Sequence, residues 1–480
     1  MARLIQFLTE DNKKRWMNYL KNSPMLRAGV KVLNTITSKG YESYLVGGAV
    51  RDIILGKSFK DADIATNAPV EELEKMFKTY DIGKNKDFGI VVTKVDGFQI
   101  EIAVYRADGK YLDGRRPESV SFNVDLKGDM SRRDLTINAM AIDKDGNIID
   151  HFEGQKAIKD KVIQTVGNPF DRFEEDRLRL MRSARFAGKF GFDIEPNTKK
   201  AMSQMAHKLK DLAPERIKDE LFNMASASGA KFADTIRILD DTGILNVILP
   251  ELMKLKDFKE MEDYHPEAYT GSDRRKGTPF DHVMAALRKN QIADPLVNMG
   301  ILLHDIGKGT TYANIDGKHT FHGHAEAAKD IIDTIAKRLK MSNKEKDALL
   351  FAAVNHMKIH IAYQMKPSKI IKLVNDENWE ILKMVAYADA AARKGLFNQS
   401  EFDSLIDEME AINKKWGEKI TGTTIKIVDG NRVMTLTGLP SGKKVGMIIK
   451  KVTDEVLNKG IRSDKEIDDL IMKVYQETKG

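Results

Sequence analysis

The stretch Leu45-Val46-Gly47-Gly48-Ala49-Val50-Arg51-Asp52, followed by Asp61-Ala62-Asp63, decides how this chain folds and what it can bind. An apolar pair typical of a strand leads into two glycines and then into a helix that carries Arg51. Glycines after a strand let backbone N–H groups approach a phosphate that a Cβ atom would block. Residues 61–65 are predicted to form a strand, and alternate residues of a strand point to one face, so Asp61 and Asp63 could share one cation. The combination indicates a metal-dependent reaction on a nucleoside triphosphate, although a tight turn followed by solvated aspartates would explain either motif alone.

Residues 45–66 resemble the active-site signature of the class II CCA-adding enzymes, the nucleotidyltransferases that build tRNA 3′ ends. The bacterial poly(A) polymerases share this signature. The resemblance implies template-independent addition of C, C and A to tRNA from CTP and ATP, by two-metal transfer with Mg²⁺. It therefore names tRNA, CTP and ATP as the expected partners.

The composition limits the other classes of function. A chain of 480 residues should form about three or four domains. It has no run of about 18 apolar residues and no signal-like start, so no membrane span or membrane partner is expected. The absence of cysteine excludes disulfides and thiol catalysis, and it fits a cytoplasmic location. The net charge of +7 permits a polyanionic partner, and the sequence leaves the oligomeric state open.

Two further features of the first 110 residues fit nucleotidyl transfer. Residues 90–95 and 97–105 alternate like a hairpin around Asp96-Gly97, a strong two-residue turn signal. In the second of these segments, Glu101 is the candidate third catalytic carboxylate beside Asp61 and Asp63, and a solvent-facing strand residue is the alternative. Arg51 could pair with triphosphate oxygens, because the guanidinium fork matches phosphate geometry.

The run Ser131-Arg132-Arg133-Asp134-Leu135-Thr136-Ile137-Asn138-Ala139 matches the family's Arg-Arg-Asp element. The resemblance implies that Arg132, Arg133, Asp134 and Asn138 bind the nucleotide and that the aspartate recognises the ribose 2′-hydroxyl. Residues 105–121, with Asp108, Gly109, Arg115 and Arg116, resemble the family's flexible loop. Its full length argues against an enzyme that adds only the two cytidines.

Residues 175–179, Glu-Asp-Arg-Leu-Arg, resemble the family's Glu-Asp-x-x-Arg motif and are followed by Arg182 and Arg185. Asp176 and Arg179 are three apart, so on one helix they would share a face. A carboxylate can accept from the amine of cytosine or adenine while a guanidinium donates to the ring nitrogen, and both contacts become repulsive with guanine or uracil. The pair could thus select C and A without a nucleic-acid template, and an ion pair on a solvated helix is the alternative. Residues 213–220 match the last motif of the head and neck, which predicts the start of a structural helix.

A second set of residues indicates another metal site. His304 and Asp305 are adjacent, and at a helix end they could hold one cation. With His282 upstream and Asp389 downstream they form the His, His-Asp, Asp pattern of HD-superfamily phosphohydrolases. These donors suit a divalent transition metal such as Ni²⁺, Mn²⁺ or Co²⁺. His324 and His356 could bind a second metal or a phosphate, although a capped or core histidine is the alternative for each. The resemblance implies hydrolysis of 2′,3′-cyclic phosphates or phosphomonoesters.

The predicted fold is multidomain α+β, with a small α/β nucleotidyltransferase head followed by a mostly helical neck, an HD domain and a tail. The predicted parts are an N-terminal helical extension (1–30), the head (31–155), a neck with the nucleotide-selecting motif (156–260), the HD domain (261–400) and a helical tail that contacts tRNA (401–480). Residues 429–446 of the tail resemble a turn found in the family.

Two other functions stay open from the sequence. A poly(A) polymerase typically carries Gly-Arg-Arg-Phe after the Asp-x-Asp element, and residues 82–89 lack it. The third hypothesis is a signalling or RNA-end-healing HD phosphohydrolase in which the first domain only binds nucleotide.

Overall fold

The computed structural model describes residues 2–80, 88–109, 119–257, 277–316, 318–393, 397–415, 420–421, 424–425, 427–461 and 463–478. The chain forms two compact units. Unit 1 comprises Met1–Met224 and Asp234–Pro250, and unit 2 comprises Ala225–Ala233 and Glu251–Gly480. Among the described residues, no helix is long and apolar enough to cross a membrane.

The first unit mixes helices and strands. Its helices, including the two in which the chain passes between the units (α10 and α11), are α1 (Ala2–Asn22), α2 (Pro24–Ser38), α3 (Gly48–Ile54), α4 (Val70–Met76), α5 (Leu126–Ser131), α6 (Gly154–Asp160), α7 (Pro169–Glu175), α8 (Leu178–Phe190), α9 (Pro196–Met205), α10 (Pro214–Ala225), α11 (Gly229–Asp241) and α12 (Ile244–Ile248). Its strands are β1 (Ser43–Val46), β2 (Asp63–Thr66), β3 (Thr79–Tyr80), β4 (Ile90–Val95), β5 (Phe98–Val104), β6 (Ala107–Asp108), β7 (Val120–Ser121), β8 (Ala141–Ile142), β9 (Ile148–Ile149), β10 (Val162–Ile163) and β11 (Asp193–Ile194).

A seven-stranded sheet in the order β3-β4-β5-β2-β1-β8-β9 organises the head. Strands β1 and β2 are antiparallel, whereas β2 and β5 are parallel. Asp96 and Gly97 both have positive φ between β4 and β5, which gives the hairpin that the sequence predicted. The sheet thus brings the Gly-Gly turn after β1, the aspartates at β2 and Glu101 of β5 to neighbouring strands.

The two N-terminal helices are part of the head core. Trp16 of α1 is buried with Leu33 of α2 and Leu45 of β1 in one apolar cluster. A Cβ atom on Gly146, which has a φ of +85°, would lie only 2.5 Å from the Trp16 ring, so the glycine makes room for it. Helix α2 runs across residue 30, where the sequence analysis placed the start of the head.

The second unit is mainly helical. Its helices are α13 (Pro279–Lys289), α14 (Pro295–Leu303), α15 (Lys308–Thr311), α16 (His324–Arg338), α17 (Asn343–His360), α18 (Pro367–Val374), α19 (Trp379–Ala392), α20 (Gln399–Lys414), α21 (Gly430–Thr437), α22 (Lys443–Lys459) and α23 (Asp464–Glu477). Short strands pair as β12 (Ala313–Ile315) with β13 (Lys318–Thr320) and as β14 (Ile420–Thr421) with β15 (Thr424–Ile425). The α/β head and the helical remainder agree with the predicted multidomain α+β class.

The tail departs from the predicted turn over residues 429–446. Residues 430–437 form helix α21, which Asp429 caps by accepting from the backbone N–H of Arg432 and which ends at Gly438 with a φ of +68°. Aspartate and glycine favour both turns and helix ends, which explains the error. The Arg432 side chain pairs with Asp464 and Asp468, at 3.0 and 2.7 Å.

Candidate active sites

The predicted catalytic carboxylates meet at the head sheet. Asp63 opens β2 one residue before Ile64, which pairs with Ile102 of β5, so Glu101 lies beside Asp63 on the adjacent strand. Burial, reinforced by the charges of Glu101 and Asp61, raises the pKa of Asp63 to about 6. A bound cation would relieve the repulsion that disfavours this carboxylate.

Asp61 lies before β2, not within it, which corrects the predicted strand over residues 61–65. Strand β1 ends at Val46, the partner of Asp63, because Gly47 turns the chain with a φ of +72°. Residues 61 and 62 therefore have no β1 residue to pair with. Asp61 is exposed, and its charge still acts on Asp63.

Gly47 and Gly48 make a narrow turn above the carboxylates. A Cβ atom on Gly47 would lie 3.1 Å from Nη1 of Arg133 and 4.0 Å from Oδ2 of Asp63. One on Gly48 would lie 3.5 Å from Nη2 of Arg51. The positive φ and the close approach together favour glycine at position 47, as a phosphate-binding turn requires.

A pocket of about 570 Å³ opens beside this turn. The predicted nucleotide-binding residues lie on its wall with one exception, Asp108 of β6, which pairs with Arg106 at 3.1 Å and reaches Arg132 at 3.7 Å. The predicted residues on the wall are Gly47, Gly48, Arg51, Asp63, Arg132, Arg133, Asp134, Asn138, Asp176, Arg179, Arg182 and Arg185. Residues 82–87 and 110–118, which include Arg115 and Arg116, lie outside the described residues.

Asp129, which the sequence analysis missed, holds two of the arginines in place. Its buried carboxylate pairs with Arg132 at 2.7 Å and with Arg133 at 3.3 Å. Burial would raise the pKa of Asp129, but the two guanidinium groups outweigh burial and the pKa lies below its usual range. The carboxylate thus stays charged and orients both arginines.

Asp134 is the centre of a second network. Arg182 donates to its Oδ2 atom at 2.6 and 2.8 Å, and Asn138 donates to its Oδ1 atom at 3.1 Å. These partners outweigh the effect of burial and lower the pKa of Asp134 to about 2. Asn138 in turn accepts from Arg51 at 2.6 Å, and Arg51 pairs with Asp52 at 2.9 Å. Arg51 is therefore held by the protein itself before any triphosphate binds.

Asp176 and Arg179 do not lie on one helix, contrary to the prediction. Asp176 sits at the break between α7 and α8 with extended backbone angles, and its Oδ1 atom accepts from the backbone N–H of Leu178. Arg216 of α10 donates to both Asp176 oxygens, at 3.0 and 3.1 Å. Arg179 pairs instead with Glu175 at 2.6 Å. Both side chains still line the pocket, each fixed by its own partner.

The 213–220 segment does more than start a helix. Besides Arg216, it supplies Glu220, which is buried and pairs with Arg185 at 2.6 Å. These two pairs, Arg216 with Asp176 and Glu220 with Arg185, connect α10 to the pocket wall. Their partners are 35 and 40 positions away, so no local pattern could have indicated them.

Lys189 differs from the other cations of the pocket. Each lining arginine pairs with a carboxylate, whereas Lys189 shows no ion pair with any described residue. Burial and the charges of Arg51 and Arg185 lower its pKa, with Asp52 opposing them. Lys189 is thus a cation on the pocket wall whose charge the described residues do not neutralise by direct contact.

The predicted HD residues converge in unit 2. His304 and Asp305 directly follow α14, at the end of that helix. His304 Nε2 lies 3.2 Å from Asp305 Oδ2, and His282 Nε2 lies 2.9 Å from Asp389 Oδ1. His324 Nε2 and His356 Nε2 approach the other Asp305 oxygen at 3.6 and 3.7 Å. These side chains form two candidate metal groups, His282 with His304 and Asp305, and Asp305 with His324 and His356.

The donor atoms fit a cation. Among the described residues, the buried Nε2 atoms of His304, His324 and His356 and the Oδ1 atom of Asp305 have no hydrogen-bond partner. Burial, aided by nearby His304, lowers the pKa of His356 to about 3, so its ring is neutral and keeps a free lone pair. Burial without a partner is costly for such atoms, and a divalent metal would satisfy them.

Two residues missed from the sequence flank Asp389. His360 Nε2 lies 3.0 Å from Asp389 Oδ2, and Arg393 Nη2 lies 3.2 Å from the same oxygen. Asp389 itself is buried, whereas His360 and Arg393 are partly exposed. They mark the side on which the cluster meets solvent. The spacing of His360, four residues after His356 on α17, was a signal that could have identified it.

Three family models match the chain. The poly A polymerase head domain matches residues 43–164, a probable RNA- and SrmB-binding site of polymerase A matches residues 191–255, and the HD domain matches residues 282–393. Residues 43–164 are thus similar to the poly A polymerase head domain, and residues 282–393 are similar to the HD domain.

The similar proteins are CCA-adding enzymes, which confirms the resemblance predicted from the sequence. The enzyme of Bacillus pumilus (strain SAFR-032) is 46% identical over 201 residues, 42% of this chain and 50% of that enzyme. That of Geobacillus kaustophilus (strain HTA426) is 41% identical over 222 residues, 46% of this chain and 54% of that enzyme. The chain thus spans about half the length of the curated relatives it matches. A solved Bacillus stearothermophilus CCA-adding enzyme in complex with CTP is 25% identical, with a TM-score of 0.70 over 95% of this chain and 99% of that one.

Proposed function

We propose that this protein is a CCA-adding tRNA nucleotidyltransferase that adds C, C and A to tRNA 3′ ends from CTP and ATP. One observation carries the proposal. The carboxylates of Asp61, Asp63 and Glu101 form a cluster, and Asp63 of this cluster lines a pocket whose arginines are oriented by other protein groups. The similarity to a CCA-adding enzyme in complex with CTP supports the same function.

Asp61, Asp63 and Glu101 would hold the catalytic cations, for which we propose Mg²⁺. The metal would lower the pKa of the attacking 3′-hydroxyl and neutralise charge on the α-phosphate. The Gly47-Gly48 turn and Lys189 would bind the triphosphate. The Asp134 carboxylate, with its pKa of about 2, remains an acceptor for the ribose 2′-hydroxyl at neutral pH.

Base selection would rest on Asp176 and Arg179. Asp176 can accept from the exocyclic amine of cytosine or adenine, and Arg179 can donate to the adjacent ring nitrogen. Because Arg216 and Glu175 fix these side chains, the arrangement of acceptor and donor exists without a nucleic-acid template. Guanine and uracil would leave buried polar groups unmatched and would be rejected.

The test is incorporation of radiolabelled CTP and ATP into tRNA that lacks its 3′ CCA. Ordered incorporation of both nucleotides is expected. Incorporation of ATP alone would indicate a poly(A) polymerase instead, and incorporation of neither would leave the HD domain as the active part of the chain.

We also propose that the HD cluster is a metal-dependent phosphohydrolase, because it buries several nitrogen and oxygen atoms that lack hydrogen-bond partners among the described residues. Its substrates would be 2′,3′-cyclic phosphates or phosphomonoesters, in which water adds across a P–O bond and leaves a hydroxyl and a phosphate. The test is hydrolysis with Ni²⁺, Mn²⁺, Co²⁺ or Mg²⁺. Absence of hydrolysis with every metal would contradict this proposal and would not affect the first.

A further inference from the structure

A large groove lies in unit 2, between α18, α22 and α23. Its volume is about 900 Å³. Asn458 of α22 accepts from the backbone N–H of Ser368 at the start of α18, and Lys372 pairs with Asp454 at 2.7 Å. These contacts join α18 to α22 through residues that line the groove.

The groove is strongly basic. Seven lysines and three acidic residues line it, an excess of four positive charges in a chain whose total excess is seven. Five of the lysines, Lys366, Lys369, Lys450, Lys451 and Lys473, are exposed and show no ion pair with any described residue. These five side chains therefore present their charge to the solvent without a direct ion pair to any described residue.

The lysines come from separate helices, and several of them lower the pKa of the same carboxyl, that of Glu455. Lys459 of α22 is the main cause of a lowered pKa at Glu455, and Lys366 before α18 and Lys473 of α23 add to it. A charge run along one solvated helix would not converge in this way. The arrangement resembles a basic channel more than a scattered surface charge.

The groove begins where the HD cluster ends. His360, the last residue of α17, contacts Asp389 at 3.0 Å, and the next residue, Ile361, lines the groove with 47% of its surface exposed. Tyr363 follows and is 71% exposed, and its hydroxyl accepts from the amide of Gln364, another lining residue. An exposed aromatic residue thus follows His360 by three positions and contacts a residue that lines the groove.

We propose that this groove binds the phosphodiester backbone of single-stranded RNA and leads its 3′ end to the HD cluster. Lysines from several helices would follow successive phosphates, and Tyr363 would stack on a base near the end. Basic grooves with aromatic platforms are the general solution for binding single-stranded nucleic acid. The inference deepens the proposed phosphohydrolase function, since it makes an RNA end and not a free nucleotide the preferred substrate.

The binding test uses a triple variant with one change on each helix, Lys369→Gln, Lys450→Gln and Lys473→Gln. Its affinity for a fluorescent single-stranded RNA with a 3′-phosphate is measured by anisotropy at several salt concentrations. Loss of three phosphate contacts should weaken binding at least about tenfold and reduce the salt slope by about 2. The matched control is Lys340→Gln with Lys344→Gln, two exposed lysines of unit 2 outside the groove. Equal affinity of the triple variant and the unmutated protein would overturn the proposal.

The binding properties of Tyr363→Ala distinguish RNA from other polyanions as the ligand of the groove. It should weaken RNA binding about fivefold or more, because a stacked base contributes about 1–3 kcal/mol, and should leave inorganic polyphosphate binding unchanged. If Tyr363→Ala bound both ligands as tightly as the unmutated protein, or lost affinity for both equally, RNA would not be the ligand of the groove.

The last measurement locates the RNA end. An RNA that ends in 4-thiouridine is photocrosslinked to the full chain, and the labelled peptide is identified by mass spectrometry. A crosslink within residues 357–366 supports the proposal, and a crosslink confined to unit 1 overturns it. With 2′,3′-cyclic phosphate substrates, the triple variant should lose at least about tenfold in kcat/KM on an oligonucleotide and keep its rate on a mononucleotide. If the unmutated protein hydrolyses neither, the phosphohydrolase proposal fails while the binding and crosslinking results still decide the groove.

Discussion

Arg216 offers the sharpest test of template-free base selection, because it supports the selecting residue without being part of the pocket wall. Its guanidinium donates to both oxygens of Asp176, at 3.0 and 3.1 Å, and the two side chains are 17% and 20% exposed. In Arg216→Gln the Asp176 carboxylate loses the guanidinium nitrogen, Nη2, that donates to both of its oxygens, and it can rotate away from the nucleotide base. A partly screened, charge-assisted pair of this kind contributes about 1–2 kcal/mol. At about 1.4 kcal/mol per factor of ten, we expect the ratio of kcat/KM for CTP to that for UTP to fall about 5- to 30-fold.

The assay is single-nucleotide incorporation into tRNA that lacks CCA, with each of the four nucleotides in turn. Arg177→Gln is the matched control. The Arg177 side chain is also 17% exposed and approaches Glu174 and Asp211 at 3.5 Å, but it does not line the pocket. Both variants are compared for thermal stability, so that a loss of folding is separated from a loss of selectivity.

An Arg216→Gln enzyme that slowed all four nucleotides equally and kept the discrimination against UTP and GTP would contradict this prediction. An Arg177→Gln enzyme that relaxed selectivity to the same extent would contradict it as well. In either case the position of Asp176 would not determine base choice.

Three further predictions follow from the other charged groups. Asp63→Asn should abolish incorporation yet stabilise the metal-free chain at pH 7 by about 1–3 kcal/mol. Because the pKa of Asp63 is raised to about 6 in the folded protein, ionisation of this carboxyl lowers the stability of the folded protein as pH rises from about 4 to about 6. Thermal unfolding in EDTA should therefore show the gain in stability at pH 7 and no gain at pH 4. Lys189→Gln should raise the KM for CTP and ATP about fivefold or more without changing the KM for tRNA, whereas Lys200→Gln, an exposed lysine of α9, should change neither. His304→Ala should remove metal-dependent hydrolysis and the thermal stabilisation by Mn²⁺ while CCA addition persists. Substitution of the exposed His322 by alanine is the control. Loss of CCA addition in proportion to loss of folding would show that the two sites are not separable.

The parts of the fold that the sequence predicted are those with a local signal. The Gly-Gly turn, the Asp96-Gly97 hairpin and the end of α14 at His304 each depend on residues within a few positions of one another. In these segments backbone preference and burial agree, so pattern alone was sufficient.

Asp176 shows why other parts were not predictable. Glu175, Arg177, Leu178 and Arg179 are good helix formers, and local propensity therefore favoured one continuous helix. The helix breaks because the Asp176 side chain caps the following turn and because Arg216, 40 positions away, holds it there. Asp129, Glu220 and Lys189 were missed for a similar reason, since their roles arise from tertiary neighbours and not from a motif.

The two sites differ in how far their polar groups are paired with other protein groups, and this difference bears on their chemistry. In the head pocket every lining arginine already has a carboxylate partner, so donors and acceptors are oriented before a nucleotide enters. Such preorganisation is what a site needs if protein groups are to replace a template strand, because misaligned groups would accept the wrong base. The HD cluster instead leaves buried nitrogen and oxygen atoms around Asp305 without hydrogen-bond partners among the described residues. A site of that kind is complete only with a cation, which would supply both the missing charge and an activated water. Base choice should therefore depend on the arginine partners in the head, whereas hydrolysis should depend on which metal the HD cluster binds.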